Sequence, residues 1–190
     1  MLFIIDCGYT SIFQLEELVN QYTDYRTIPI FDFFTQDIRN QLPDGFIISH
    51  APLSIHENYP EKYIAKVSEI LSLNAPVLGI GLGHQLIGLA SGAQPNYSPY
   101  MNDLIEIAIL EQEDLFEKLP DEIQMIKNNS SSISIPPGFQ LLASSDFSIN
   151  EAMKKINQPI YGVQFLIELS GMQGGIIMDN FVNISQQKLS

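Results

Sequence analysis

The chain has 190 residues, 45% of them hydrophobic and 16% charged, and 22 Asp and Glu against 9 Lys and Arg give a formal net charge of −13 at pH 7. That length and composition suit one globular domain spanning 1–190 with a sizeable core. So acidic a chain repels phosphate backbones and anionic bilayers, which argues against nucleic-acid and membrane-surface partners.

Residues 2–5 are a short apolar run ending at Asp6, Cys7 and Gly8, the pattern of a buried strand and its turn. No basic leader precedes the run, and nowhere does an apolar stretch approach the roughly 18 residues of a membrane helix, so the expectation is a cytoplasmic protein. Cys7 is the single cysteine, which excludes an internal disulfide and fits a reducing compartment. Over 12–22, Ile12, Leu15, Leu18, Val19 and Tyr22 recur at helical spacing. Residues 27–31 and 46–48 are predicted strands, the latter entered through Pro43, Asp44 and Gly45. Over 63–73, Ile64, Val67, Ile70 and Leu71 fall on one helical face. Residues 76–80 form a predicted buried strand that runs into Gly81, Leu82 and Gly83, with a helix over 84–90. This alternation implies a parallel sheet covered on both faces. The second half is richer in strands, predicted at 104–110, 139–143 and 160–165, with a closing helix at 176–182. Ligands of such sheets sit at the carboxyl ends of the strands, so the turns after Ile5, Ile48 and Ile80 should converge.

Two segments carry a specific resemblance. Gly79-Ile80-Gly81-Leu82-Gly83-His84-Gln85 resembles the nucleophile elbow of class I glutamine amidotransferases, Gly-Ile-Cys-x-Gly-His-Gln. Gly162-Val163-Gln164-Phe165-Leu166-Ile167-Glu168 resembles their Gly-Val-Gln-Phe-His-Pro-Glu. The stretches Gly45-Phe46-Ile47-Ile48-Ser49, Pro136-Pro137-Gly138-Phe139 to Ala143-Ser144-Ser145, and Glu151-Ala152-Met153 draw the match toward the glutaminase subunit or domain of GMP synthases. The resemblance covers nearly the whole chain, with its motifs in order. It implies a flavodoxin-like three-layer α/β sandwich with a mainly parallel central sheet and a smaller antiparallel β extension.

In that family a cysteine thiolate attacks the glutamine carboxamide, a histidine moves the protons and a glutamate orients the histidine. Mapped onto this chain, the triad positions are Gly81, Leu166 and Glu168, so only the glutamate is present. The oxyanion loop, Ser-Gly-Gly-Pro in the family, is Ser49-His50-Ala51-Pro52. The Ser-His-x-Asp segment falls at Asn128-Asn129-Ser130-Ser131 without its histidine, and the Gly-Ser-Gln-Tyr turn becomes Gly8-Tyr9-Thr10-Ser11. A glycine at the elbow is physically sensible once chemistry is gone, because a strained backbone there costs a side chain on the order of 1–3 kcal/mol.

The resemblance therefore implies a protein without glutaminase activity, a pseudo-enzyme with a binding or regulatory role. Its implied partners are a synthetase subunit of the ATP-pyrophosphatase type or a small metabolite such as glutamine. The pocket candidates are His50, Ala51, Leu82, Gly83, His84 and Gln85. Two other functions stay open: a hydrolase or lyase chemistry in the same cleft drawing on Glu168, His84, His50 and Cys7, and an amidotransferase active only with a partner. Each residue also has a plainer role. Cys7 suits a small core residue, His84 and Gln85 suit a helix anchor, and Glu168 suits a carboxylate held by backbone donors. His50 and His56 lack a Cys or clustered carboxylates, so no metal is expected. The Gly-x-Gly-x-Gly run lacks the spacing and the Lys-Ser/Thr of a nucleotide loop, and no cofactor is implied. The N-terminus of the helix after Gly83 is a candidate seat for a small anion.

Overall fold

The computed structural model describes residues 1–38, 42–56 and 60–187. Strands β1 (Leu2–Asp6), β2 (Tyr25–Pro29), β3 (Gly45–Ile48) and β4 (Val77–Ile80) alternate with helices α1 (Ile12–Asn20), α2 (Glu61–Leu71) and α3 (Leu82–Ala90). The second half adds β5 (Pro95–Ile109), β6 (Glu122–Ile133), β7 (Phe139–Ser144), β8 (Ala152–Lys155), β9 (Ile160–Val163) and α4 (Gly171–Gln186). These strands form one sheet in the order β2-β1-β3-β4-β9-β8-β7-β5-β6. Among the described residues no helix is long and apolar enough to cross a membrane.

The parallel half is the three-layer sandwich expected. β1, β3, β4 and β9 are four or five residues long and buried almost throughout. Successive side chains point to opposite faces. Ile4, Ile47, Leu78 and Val163 meet Leu15 and Leu18 of α1 and Phe181 of α4 on one side. Phe3, Ile5, Phe46, Ile48 and Val77 meet Val67 and Ile70 of α2 and Leu86 and Ile87 of α3 on the other. Each such side chain contributes about 1.5–3 kcal/mol when taken fully out of water, which is why these short runs specify their place.

The expectation of a mainly parallel sheet needs correction. Four ladders are parallel and four are antiparallel, so the sheet divides evenly at β9. The antiparallel part is larger than predicted because β5 begins at Pro95 rather than at 104 and pairs along β6. β6 and β8 are not among the predicted strands at all; the other elements fall within a few residues of their predicted bounds, the largest shift being α4, which begins at Gly171 rather than 176.

Candidate functional site

β4 delivers the chain to Gly81, and α3 starts at the next residue. Gly81 has φ 55° and ψ −108°, left-handed backbone that glycine adopts without a Cβ penalty. Its N–H donates to the Val163 carbonyl at 2.8 Å, which ties the elbow to the end of β9. Two residues on, Gly83 lies so close to β3 that a Cβ there would stand 2.2 Å from the Ile48 carbonyl oxygen. The sharp strand-to-helix turn implied by the motif is thus built, with its central side chain missing.

His50 occupies the space in front of that turn. A Cβ on Gly81 would lie 2.6 Å from His50 Nδ1. The same nitrogen accepts the Leu82 N–H at 3.3 Å. The imidazole is 6% exposed and meets the Tyr9 ring edge-on, centroids 5.2 Å apart. Burial pushes its pKa down to about 4, so the ring is neutral at pH 7, as an acceptor at Nδ1 must be. The expected anion seat at the start of α3 is corrected accordingly, because its leading donor is already bonded to this side chain.

Leu166 is an apolar core residue. It is 1% exposed, packs within the cluster between the sheet and α4, and donates its N–H to Ile126 across a single antiparallel bridge at 2.8 Å. Glu168 follows in the 3-10 turn Ile167–Leu169. Both of its carboxyl oxygens are buried, with the Tyr9 phenol as the neighbouring side-chain donor. Burial pushes its pKa up to about 7, with the nearby Tyr9 phenol opposing the rise. The Tyr9 phenol is itself pushed up by burial and then by Glu168.

Four of the six pocket candidates come together. His50, Ala51, Leu82 and Gln85 line a cavity of about 350 Å³ closed by Tyr100 and residues 128–131, with no Asp, Glu, Lys or Arg in its wall. Gln85 donates from Nε2 to the Ser131 carbonyl at 3.0 Å and to Gln164 Oε1 at 3.3 Å, bridging α3 to β6 and to the end of β9. Gly83 and His84 do not reach that wall. Gly83 is spent on packing, and His84 is fully buried beneath Gly162, whose Cβ would be 2.7 Å from His84 Nδ1. Burial drives the His84 pKa down to about 3, which makes it a neutral filler. Gly81, Leu166 and Glu168 do not line this cavity either.

Cys7 is buried, its N–H donates to Ser49 Oγ at 3.0 Å, and burial pushes its thiol up to about 12. A thiol so reluctant to ionise is a poor nucleophile. His56 stacks on Tyr97 at 3.7 Å, so the two histidines of this loop serve different neighbours. Among the described residues, no three His, Cys, Asp or Glu side chains are grouped as metal ligands.

Sequence reading named Tyr9 only as part of the turn after β1, without its place beside His50 and Glu168, and missed the Lys127–Glu151 ion pair, both members fully buried. Ser145 donates to the same carboxyl oxygen of Glu151 at 2.6 Å. The only hint was Glu151 in the Glu-Ala-Met motif; Lys127 stands at the edge of a Ser/Asn run and carried no signal.

Residues 3–183 match the sequence model of the family described as Glutamine amidotransferase class-I. The glutamine-hydrolyzing GMP synthase subunit of Pyrococcus furiosus is 36% identical over 156 residues, covering 78% of this chain and 79% of that one. Its Thermococcus kodakarensis counterpart is 34% identical over 165 residues, with 78% and 79% covered. Among solved structures, a Thermoplasma acidophilum protein assigned to the same GMP synthase subunit superposes with a TM-score of 0.88 at 25% identity, over 97% of this chain and 92% of that one. A Thermotoga maritima glutamine amidotransferase shares the fold at a TM-score of 0.77 and 12% identity, over 98% of both chains.

Proposed function

This chain belongs to the glutamine amidotransferase class-I family, and we propose that it is a member that no longer hydrolyses glutamine and instead serves in binding or regulation. The observation that carries this reading is the elbow. Where the family's thiol would stand there is only Gly81, and the space in front of it holds His50. Thioester chemistry needs a sulfur at that point and a base beside it, and the base position is Leu166 inside the core. An oxyanion donor is worth about 10²–10³ in rate when free to meet the developing charge; here the Leu82 N–H faces an imidazole nitrogen instead.

The scaffold around these positions is intact, and that favours a partner over a relic. The candidate partners are a synthetase subunit of the ATP-pyrophosphatase type, by kinship with the glutamine-hydrolyzing GMP synthase subunits, and a small metabolite such as glutamine. The cavity bounded by His50, Gln85 and Tyr100 offers a metabolite neutral hydrogen-bonding groups and no fixed charge.

The test is ammonia release from glutamine by the purified chain, alone and with a synthetase subunit from the same source, together with pull-down of that synthetase. The expectation is background release in both assays and a stable complex in the second. Release above background that disappears on substituting one residue of this cleft would overturn the proposal.

A further inference from the structure

The cavity between the loop after β3, α3 and β6 measures about 350 Å³, at the small end of ligand pockets. Two side chains that are more than nine-tenths buried line it, His50 and Gln85. Each is held in one orientation by bonds to the protein. His50 Nδ1 accepts the Leu82 N–H at 3.3 Å, so Nε2 of the neutral ring carries the proton and is a donor. Gln85 Nε2 donates to the Ser131 carbonyl at 3.0 Å and to Gln164 Oε1 at 3.3 Å, which uses both of its protons and leaves Gln85 Oε1 as an acceptor.

Neither His50 Nε2 nor Gln85 Oε1 has a partner among the described residues. Neither is sealed from solvent, as Asn129 Oδ1 and Gln164 Nε2 beside them are. The little surface that these two side chains retain opens on the cavity they line. A wall with one fixed donor, one fixed acceptor and, among the described residues, no charged side chain is complementary to a group that carries a carbonyl beside an N–H. A free amino acid brings an ammonium and a carboxylate that nothing in this wall would pair, and taking unpaired charges out of water is costly. Tyr100 closes the cavity from β5, its hydroxyl donating to Asn128 Oδ1 at 3.4 Å, and offers an aromatic face to a planar ligand.

We propose, resting on the reading of this cleft as a site that binds without hydrolysing, that it takes an uncharged planar amide in preference to a free amino acid such as glutamine. The ligand carbonyl accepts from His50 Nε2, the ligand N–H donates to Gln85 Oε1, and its plane lies against Tyr100. The small metabolite of that reading is thereby narrowed to one without charge.

Calorimetric titration of the full chain with benzamide tests this, beside benzoate, which replaces the N–H by a charge, acetophenone, which keeps the carbonyl but has no N–H, and glutamine. Saturable binding of benzamide is expected, with each of the other three weaker by about tenfold or more, as a lost hydrogen bond or an unpaired charge implies. His50→Phe keeps a ring and removes the donor, and should weaken benzamide about tenfold. Tyr100→Ala, at an exposed side chain, should fold and weaken benzamide by up to about tenfold. Tyr97→Ala, on the same strand but outside the cavity wall, should leave it unchanged. Absence of saturable benzamide binding, equal binding of benzoate, acetophenone or glutamine, or equal weakening by Tyr97→Ala would overturn the proposal. If His50→Phe fails to fold, the four ligands and the Tyr100 and Tyr97 variants still decide. These titrations read no reaction, so the two failures are separate: ammonia release from glutamine would bring down the reading of the cleft as inactive, and a preference for glutamine in a chain that releases no ammonia would bring down the amide alone.

Discussion

The two sides of the elbow have fared differently. On the packing side, the chain keeps the residues of the family motif: Gly83 against the Ile48 carbonyl, His84 under Gly162, and Gln85 bonded to Ser131 and Gln164. On the cleft side, it departs at Gly81, Leu166 and the Ser49-His50-Ala51-Pro52 loop. Residues on the first side fill space or satisfy buried acceptors, so replacing them damages the fold. Residues on the second side would act on a substrate, and their replacements are accommodated by local repacking. A motif of this kind is two motifs interleaved, one for folding and one for reaction, and this chain separates them.

The contrast is most sharply tested at Gly83. Gly83→Ala would place a methyl 2.2 Å from a backbone oxygen, with no flexible neighbour to yield. Such overpacking against main chain should cost about 3–5 kcal/mol, read as a lowered urea midpoint or as insoluble protein. A Gly83→Ala chain of near wild-type stability would mean that α3 sits further from β3 than this contact requires.

Glu168 belongs to neither side cleanly, and pH exposes its position. The native carboxyl holds its proton up to about 7 against an ordinary value of 4.5. Between those values the native state binds more protons than the unfolded chain, so wild-type stability falls as pH rises through that window and levels off above it. Glu168→Gln removes this loss. Urea titrations at pH 5 and pH 8 should show the variant gaining on the wild type by on the order of 1–3 kcal/mol at the higher pH. Parallel stability curves would mean that the carboxyl is solvated.

How much of this was legible in the sequence follows the same division. β1, β3 and β4 were visible because they are buried on both faces and read as unbroken apolar runs ended by Gly, Pro or Asp. β6 was not, because Asn128, Asn129 and Ser130 face a cavity and Lys127 is buried through its ion pair with Glu151. A fully buried lysine defeats any reading based on alternating polarity. The outer part of β5 escaped because pairing with β6 holds it, while its side chains are mostly exposed. In the site, the motifs placed Gly81 at the turn and put His50, Ala51, Leu82 and Gln85 on one cavity. They could not reveal that His50 fills the space beside Gly81, since that contact joins loops 31 residues apart in the chain and depends on how closely β3 and β4 pack.

That contact governs any attempt to install glutaminase chemistry at the elbow. Gly81→Cys introduces a side chain at φ 55° and drives its Cβ against His50 Nδ1, so the single variant should lose about 1–2 kcal/mol. His50→Gly in the same chain clears the clash and frees the Leu82 N–H, so the two substitutions should couple favourably by roughly 1 kcal/mol in a double-mutant cycle. The activity prediction follows the same geometry. Gly81→Cys with Leu166→His supplies a thiol and an imidazole but leaves His50 against the thiol and on the oxyanion donor, and ammonia release should stay at background. Adding His50→Gly should bring release above it, since the recovered donor alone is worth about 10²–10³ in rate. If the pair without the His50 change is already active, His50 moves aside in solution and is not the obstruction; if the triple variant folds and stays silent, more than the thiol, its base and this imidazole separates this cleft from glutamine hydrolysis.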